Sequence, residues 1–101
     1  MQSKNKRAPS AAERSYITLI KSLDCGCCGR TGPSEAHEIE QGQWFTSIPL
    51  CEDCHRGGHN GIHGQRRIWA VLKKSELSVL NETIERVVAL LVARSGARAL
   101  I

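Results

Sequence analysis

The sequence has few aromatic residues and no long hydrophobic run. Aromatic residues make up 4% of the 101 residues, and there is a single methionine. A core with so few large side chains is thin, so a metal ion bound within the fold would help to stabilise it. No segment approaches the roughly 20 apolar residues of a membrane-spanning helix. The length suits one small domain and excludes two of ordinary size.

The N-terminus lacks the pattern of an export signal. Basic residues occur there, but no apolar stretch of about 7–15 residues follows them. We therefore expect a cytoplasmic protein in a reducing compartment, where regularly paired cysteines indicate metal binding rather than disulfides. The formal net charge of +4 is compatible with a nucleic-acid partner but does not identify one.

The chain is expected to form one domain over residues 10–95, between a flexible basic N-terminus at 1–9 and a loose tail at 96–101. Ser10 and Glu13 have the spacing of a capping box, which predicts the start of a first helix. The later elements are predicted as short extended segments at 36–40 and 44–50 and helices at 54–60, 66–74 and from Ser75 onward.

Apolar residues indicate which faces of the last two helices are buried. The helix at 66–74 is expected to bury Ile68, Trp69, Val71 and Leu72. In the final helix apolar residues recur at steps of three and four, which is typical of an amphipathic helix that packs on the core. They are Leu77, Leu80, Ile84, Val87, Val88 and Leu91. The same stripe would also suit docking onto another chain.

Two Cys-x-x-Cys pairs form the most informative motif. Cys25 and Cys28 make the first pair, Cys51 and Cys54 make the second, and 22 residues separate them. Thiolates from two such pairs supply the four ligands of a tetrahedral zinc site. Four cysteine ligands leave no open coordination position, so we expect this Zn²⁺ to be structural. Cys27 is then the odd cysteine.

All four histidines lie in the region that starts with the first extended segment and ends with the stretch after the second cysteine pair. His55 and His59 are four residues apart, so on a helix they would share one face. If the extended segment packs beside that helix, His37, His55 and either His59 or His63 can converge on a second metal ion. Nitrogen ligands with an open position suit a catalytic metal. The alternative is a set of surface histidines in a glycine-rich loop.

Charged residues near these motifs are less informative. Glu38 follows His37 and should point to the opposite face of a regular strand, which argues against both residues binding one ion. Four arginines could bind phosphates or could simply be solvated. They are Arg30, Arg56, Arg66 and Arg67.

The order of these motifs resembles that of the HNH (ββα-metal) endonuclease superfamily. The matching residues are the knuckle Cys25–Gly29, the pair Ala36-His37 and the run Pro49–His55. Within that superfamily the chain is most similar to the phage recombination-enhancing, RecA-dependent nucleases of the Ref type. This similarity involves Ala8–Arg14, Ile48–Cys51 and Lys74–Leu77.

The resemblance implies an α+β fold, with a small zinc-stapled ββα-metal (HNH) core and flanking N- and C-terminal helices. The implied activity is metal-dependent hydrolysis of DNA phosphodiester bonds with weak sequence preference, connected with phage or prophage recombination. The implied cofactors are structural Zn²⁺ and a catalytic divalent ion such as Mg²⁺, Mn²⁺ or Zn²⁺. DNA would be the substrate, and a RecA-like recombinase filament would be a further partner.

His37, Glu38 and His55 are the catalytic residues that the resemblance implies. Many members of the superfamily have two adjacent histidines on the strand, of which the first binds metal and the second activates water. Here the pair is His37-Glu38. Either His37 is a metal ligand and Glu38 or another group is the base, or His37 is itself the base. The alternative to a nuclease is a non-catalytic, zinc-stapled module that binds DNA or protein.

Overall fold

The structure is a computed structural model that describes residues 7–95. The flexible segment expected at 1–9 lies largely outside the described residues, and the tail expected at 96–101 lies wholly outside them. In chain order the elements are α1 (Ala11–Lys21), β1 (Glu35–Glu38), β2 (Ser47–Leu50), α2 (Glu52–Arg56), α3 (Arg67–Leu72) and α4 (Glu76–Arg94).

Within the described residues these elements form an α+β fold with one two-stranded sheet and four α-helices. The predicted fold class, α+β, is thereby confirmed. None of the helices in this part of the chain is long and apolar enough to cross a lipid bilayer.

The predicted capping box starts α1. The hydroxyl of Ser10 accepts a hydrogen bond from the backbone N–H of Glu13 at 3.2 Å, and the Glu13 carboxylate accepts one from the Ser10 N–H at 2.7 Å. The Arg7 guanidinium donates two further bonds to the same carboxylate, at 2.8 and 2.7 Å. These donors, Arg7 foremost, lower the pKa of Glu13 to about 2. The carboxylate therefore stays ionised and holds the chain at the helix start.

The strands β1 and β2 pair antiparallel, with His37 opposite Ile48. Both strands are shorter than the predicted segments. The strand β1 ends at Glu38, and β2 begins later than predicted because Trp44–Thr46 form a turn of 3₁₀ helix before it. Every residue of β2 is buried, since α1 and α4 both pack against this strand. The hairpin is thus fixed from two sides.

The helix α2 begins and ends earlier than predicted. It spans Glu52–Arg56 instead of residues 54–60. The chain leaves it at Gly57 in an extended conformation (φ −62°, ψ 141°) and folds back on itself. A Cβ atom at Gly61 would lie 2.5 Å from the Gly57 carbonyl oxygen, so this return needs glycine. His59 consequently lies outside the helix.

Two predicted buried faces are partly wrong. In α3, Trp69 is buried as expected, but Val71 is 73% exposed and Leu72 is 42% exposed. The helix α4 does begin after Ser75, whose hydroxyl accepts a hydrogen bond from the Ser78 N–H. Of the predicted stripe, Val87 is buried, but Leu77, Ile84, Val88 and Leu91 are exposed, and the fully buried residues of the helix are Val79 and Thr83.

The contact between α4 and the first cysteine knuckle explains which face of α4 is buried. Val79 is fully buried and packs so closely on Gly26 that a Cβ atom there would lie 2.6 Å from the Val79 Cγ1 atom. The core cluster contains four of the five cysteines, namely Cys25, Cys27, Cys51 and Cys54, together with Ile48, Leu50, Ile62, Trp69 and Val79. The helix α4 therefore packs on the backbone of the first cysteine knuckle as well as on β2.

Candidate metal centres

The four paired cysteines come together at one point. The sulfur atoms of Cys25, Cys28, Cys51 and Cys54 all lie within 4.8 Å of one another, and the Cys28 and Cys51 sulfurs are 3.8 Å apart. A Zn–S bond of about 2.3 Å places the sulfurs of a tetrahedral site about 3.8 Å apart. The five cysteines are all free thiols. The cluster can therefore bind a metal such as zinc.

Without a cation, the cluster cannot hold four thiolates at once. Burial, followed by repulsion from the Cys25 sulfur, raises the pKa of Cys54 far above its usual value, and burial also raises that of Cys28. Burial opposes ionisation of Cys25 as well, but backbone N–H groups of Cys28, Cys51 and Cys27 outweigh it and lower the pKa of Cys25 to about 7. A metal ion and protons must compete for these sulfurs.

Three histidines form a second cluster beside the first. One nitrogen each of His37, His55 and His63 lies within 4.8 Å of the others, and the three ring centres are 5.0 Å apart in every pair. With metal–nitrogen bonds of about 2.0–2.1 Å, three imidazoles on a tetrahedral ion have their ring centres about 5 Å apart. The spacing fits three ligands around one ion, with a fourth position open.

The structure brings His63, and not His59, to this cluster. The His63 N–H donates to the His55 carbonyl at 3.2 Å, and the Ile62 N–H donates to the Cys54 carbonyl at 2.8 Å. These bonds turn the chain after α2 back along the helix. His59 lies on the outer part of the same loop and is exposed. The expectation that His55 and His59 share one helical face is wrong because α2 ends at Arg56.

Two carboxylates contact the histidine cluster. The His55 Nδ1 atom is 2.8 Å from Glu35 Oε1, and the His37 Nε2 atom is 2.6 Å from Glu76 Oε2. Glu35 also accepts two hydrogen bonds from Arg56, at 3.1 and 2.5 Å. Arg56 first, and then His55, lower the pKa of Glu35. A carboxylate on the outer nitrogen of a ligating histidine is the usual arrangement in protein metal sites.

Neither Glu35 nor Glu76 was predicted from the sequence as part of this site. Glu35 could have been found, because it lies two residues before His37 and hence on the same face of β1. Glu76 could not have been found from its spacing to His37, because it lies 39 positions later in the sequence and belongs to the helix α4.

Glu38 lies at the mouth of the histidine cluster. It borders a cavity of about 410 Å³ whose lining residues are His37, Glu38, Ile39, Gln41, His63 and Glu76. One of its carboxylate oxygens accepts a hydrogen bond from the Gly42 N–H at 2.8 Å. Glu38 is the last residue of β1, and it lines this cavity together with His37 although the two are adjacent in the strand.

The four candidate DNA-binding arginines occupy different settings. Arg30 and Arg56 border one cavity of about 280 Å³, although Arg56 is also held by Glu35. Arg66 has a left-handed backbone (φ 58°) and donates from Nε to the Ile62 carbonyl at 3.0 Å. Arg67 is exposed at the start of α3.

Comparisons with protein-family models, with curated proteins and with solved structures found no match.

Proposed function

We propose that this protein is a metal-dependent DNA endonuclease of the HNH (ββα-metal) type. The observation that carries the proposal is the convergence of His37, His55 and His63 at a spacing that fits one ion with an open position. A module held together by structural zinc alone needs no second ligand set. The order β1, β2, α2 and the placement of His37 on the first strand and His55 on the helix are what the sequence resemblance leads one to expect.

In this proposal the four cysteines bind Zn²⁺ as a structural ion. Cys25 and Cys28 precede the hairpin, whereas Cys51 and Cys54 begin α2. One ion shared by both pairs would clamp the helix to the segment before β1. His37 and His55 would then be held at a fixed distance, which is what a catalytic site requires.

The chemistry proposed for the second centre is phosphodiester hydrolysis. A divalent cation such as Mg²⁺, Mn²⁺ or Zn²⁺ held by the three histidines would polarise the scissile phosphate and neutralise charge on the leaving oxygen. His37 acts as a ligand in this proposal, because its ring is equally distant from the other two. Glu38, at the edge of the same cavity, would accept the proton of the attacking water.

Contacts to the DNA would be mainly to phosphates. Arg30 and Arg56 border a common cavity near α2 and would bind phosphate oxygens of the DNA backbone. Arg66 and Arg67, which follow the glycine-rich segment after α2, would add positive charge. Phosphate contacts carry little sequence information, so weak sequence preference is expected. Binding should weaken steeply as salt concentration rises.

The most specific part of the proposal is a role in phage recombination. It rests on the sequence similarity of Ala8–Arg14, Ile48–Cys51 and Lys74–Leu77 to the Ref-type nucleases. A RecA-like filament assembled on single-stranded DNA should then increase cleavage of a duplex paired with it, and unchanged cleavage would remove this part alone.

A plasmid-nicking assay tests the nuclease proposal. Supercoiled DNA is incubated with protein and Mg²⁺, Mn²⁺ or Zn²⁺, and open-circular product is measured. We expect His55→Ala and His63→Ala to lower the nicking rate by about 100-fold or more, since even an outer partner of a metal ligand is worth 10–100-fold. His59→Ala is the matched control from the same loop and should nick like wild type.

Two results would contradict the nuclease proposal. One is wild-type protein that nicks with none of the three ions. The other is equal nicking by wild type and His63→Ala. DNA binding that survives both histidine substitutions, without any cleavage, would instead indicate the non-catalytic zinc-stapled module.

A further inference from the structure

We propose that Glu76, the first residue of α4, is a positioning residue that determines which nitrogen of His37 faces the metal ion. This inference rests on the proposed function, since it requires that His37, His55 and His63 bind one cation. The Glu76 carboxylate reaches the site from outside the hairpin and α2. Its Oε2 atom lies 2.6 Å from His37 Nε2, and the His37 side chain is only 9% exposed.

The chemistry of a neutral imidazole gives this contact its meaning. One ring nitrogen carries a proton and the other carries the lone pair that binds metal, whereas an ionised carboxylate only accepts hydrogen bonds. The nitrogen that faces Glu76 must therefore be the protonated one. His37 is thereby left with Nδ1 as its ligating atom.

The contact between Glu35 and His55 leads to the same kind of assignment, but it involves the other ring nitrogen. Glu35 faces His55 Nδ1 at 2.8 Å, so His55 is left with Nε2 for the metal. The two histidines thus present different nitrogens because their carboxylates lie on different sides. Such carboxylate partners fix ring orientation and make the ligand nitrogen more basic.

The position of Glu76 is fixed by packing rather than by the histidine. Ser75 and Ser78 cap the first turn of α4 reciprocally, at 3.0 and 2.9 Å. Val79, one turn after Glu76, is fully buried against Gly26 of the first cysteine knuckle. Packing of Val79 on the first cysteine knuckle therefore positions the start of α4, and with it the Glu76 carboxylate beside His37.

Two measurements test the assignment in the full chain with Zn²⁺ on the cysteine cluster. The first is the affinity of the histidine site for Co²⁺, followed by visible absorption. We expect Glu76→Ala to weaken Co²⁺ binding 10–100-fold and Glu76→Gln, which keeps a hydrogen-bond acceptor, to weaken it less. Glu85→Gln changes an exposed carboxylate of the same helix and should leave the affinity within about twofold, as expected for a residue outside the site.

The second measurement is the tautomer of His37, read from long-range ¹⁵N–¹H correlations before the histidine site is loaded. Wild type should show the proton on Nε2, and Glu76→Ala should show a mixture of the two tautomers. A merely structural role for Glu76 would lower the melting temperature without moving this signal. Glu76→Leu also lacks a hydrogen-bond acceptor and should show the same mixture, so it keeps the test usable if the alanine variant folds poorly.

Three outcomes would overturn the inference. Unchanged Co²⁺ affinity and an unchanged tautomer in the Glu76 variants would refute it while leaving the nuclease proposal intact. In Glu76→Ala, weaker binding with an unchanged tautomer would refute it too, because Glu76 would then act as a ligand itself. Wild-type protein that binds no second cation would refute both proposals.

Discussion

At the scale of single residues, the five cysteines have two different roles, which depend on where each sulfur lies. Cys28 is exposed, yet its sulfur lies 3.8 Å from that of Cys51 and belongs to the cluster. Its neighbour Cys27 is buried in the core, and burial raises its pKa to about 11. Cys27 therefore stays a neutral thiol at pH 7 and contributes as a small apolar side chain.

Substitution of the two adjacent cysteines should separate these roles. Cys28→Ala should lose Zn²⁺ from the cysteine cluster and with it the cooperative thermal transition, since the fold is expected to depend on this ion. Cys27→Ala should keep the ion and cost about 1 kcal/mol of packing. Zinc content by atomic emission and thermal unfolding measure both. Loss of zinc in Cys27→Ala would contradict the assignment.

Individual residues also mark the limit of what could be predicted from sequence. The cysteine ligands could be predicted because the spacing of each pair is local and brings two sulfurs together. His55 was singled out because it directly follows Cys54, and His37 because it lies on the first predicted strand. The choice between His59 and His63 could not be made, because it depends on where α2 ends. Glu76 could not be assigned because a helix distant in sequence brings it to His37.

At the scale of elements, local signals predicted the starts of α1 and α4, whereas the end of α2 and the buried face of α4 depend on how the chain folds back and packs. Ser10 and Ser75 both cap helices as predicted, since a cap involves only the next three residues. The end of α2 depends instead on the chain folding back at Gly57–Gly61. The buried face of α4 depends on Gly26, which lies about fifty residues earlier.

The contact between α4 and the first knuckle gives a prediction at this scale. Gly26→Ala places a methyl group 2.6 Å from Val79 Cγ1, next to the Pro49 carbonyl oxygen at 3.4 Å. Neither neighbour is at the flexible end of a long side chain, so overpacking should cost about 1–3 kcal/mol. Chemical denaturation measures the free energy of unfolding.

Gly58→Ala is the matched control for this substitution. A Cβ atom at Gly58 would have no heavy atom within 4 Å, so this variant should unfold like wild type. Equal stability of Gly26→Ala and Gly58→Ala would mean that α4 does not pack on the knuckle as described.

At the scale of the whole molecule, the cysteine cluster lies within the hydrophobic core. Cys25, Cys51 and Cys54 belong to the central buried cluster, and Trp69 donates a hydrogen bond from Nε1 to the Cys54 carbonyl at 3.0 Å. The other elements surround these sulfur atoms. A chain with so few large apolar side chains should therefore depend on the bound ion for folding.

Removal of the metal should consequently unfold the whole chain. A strong chelator should abolish the helical circular dichroism and expose Trp69, which shifts its fluorescence to longer wavelength, and added Zn²⁺ should restore both. The Trp44→Phe variant leaves Trp69 as the single tryptophan reporter. A chelated protein that kept its helical signal and unfolded cooperatively would show that the fold does not need the ion.

The short helix α2 has one more consequence, for the order in which metals are acquired. It contains five residues, too few to be stable alone, and within it Cys54 is followed directly by His55. In the proposed nuclease we therefore expect the sulfur ligands to bind their ion before the imidazoles are held in a defined direction. A chain that lacks zinc at the cysteines should then also fail to hold a second ion at the histidines.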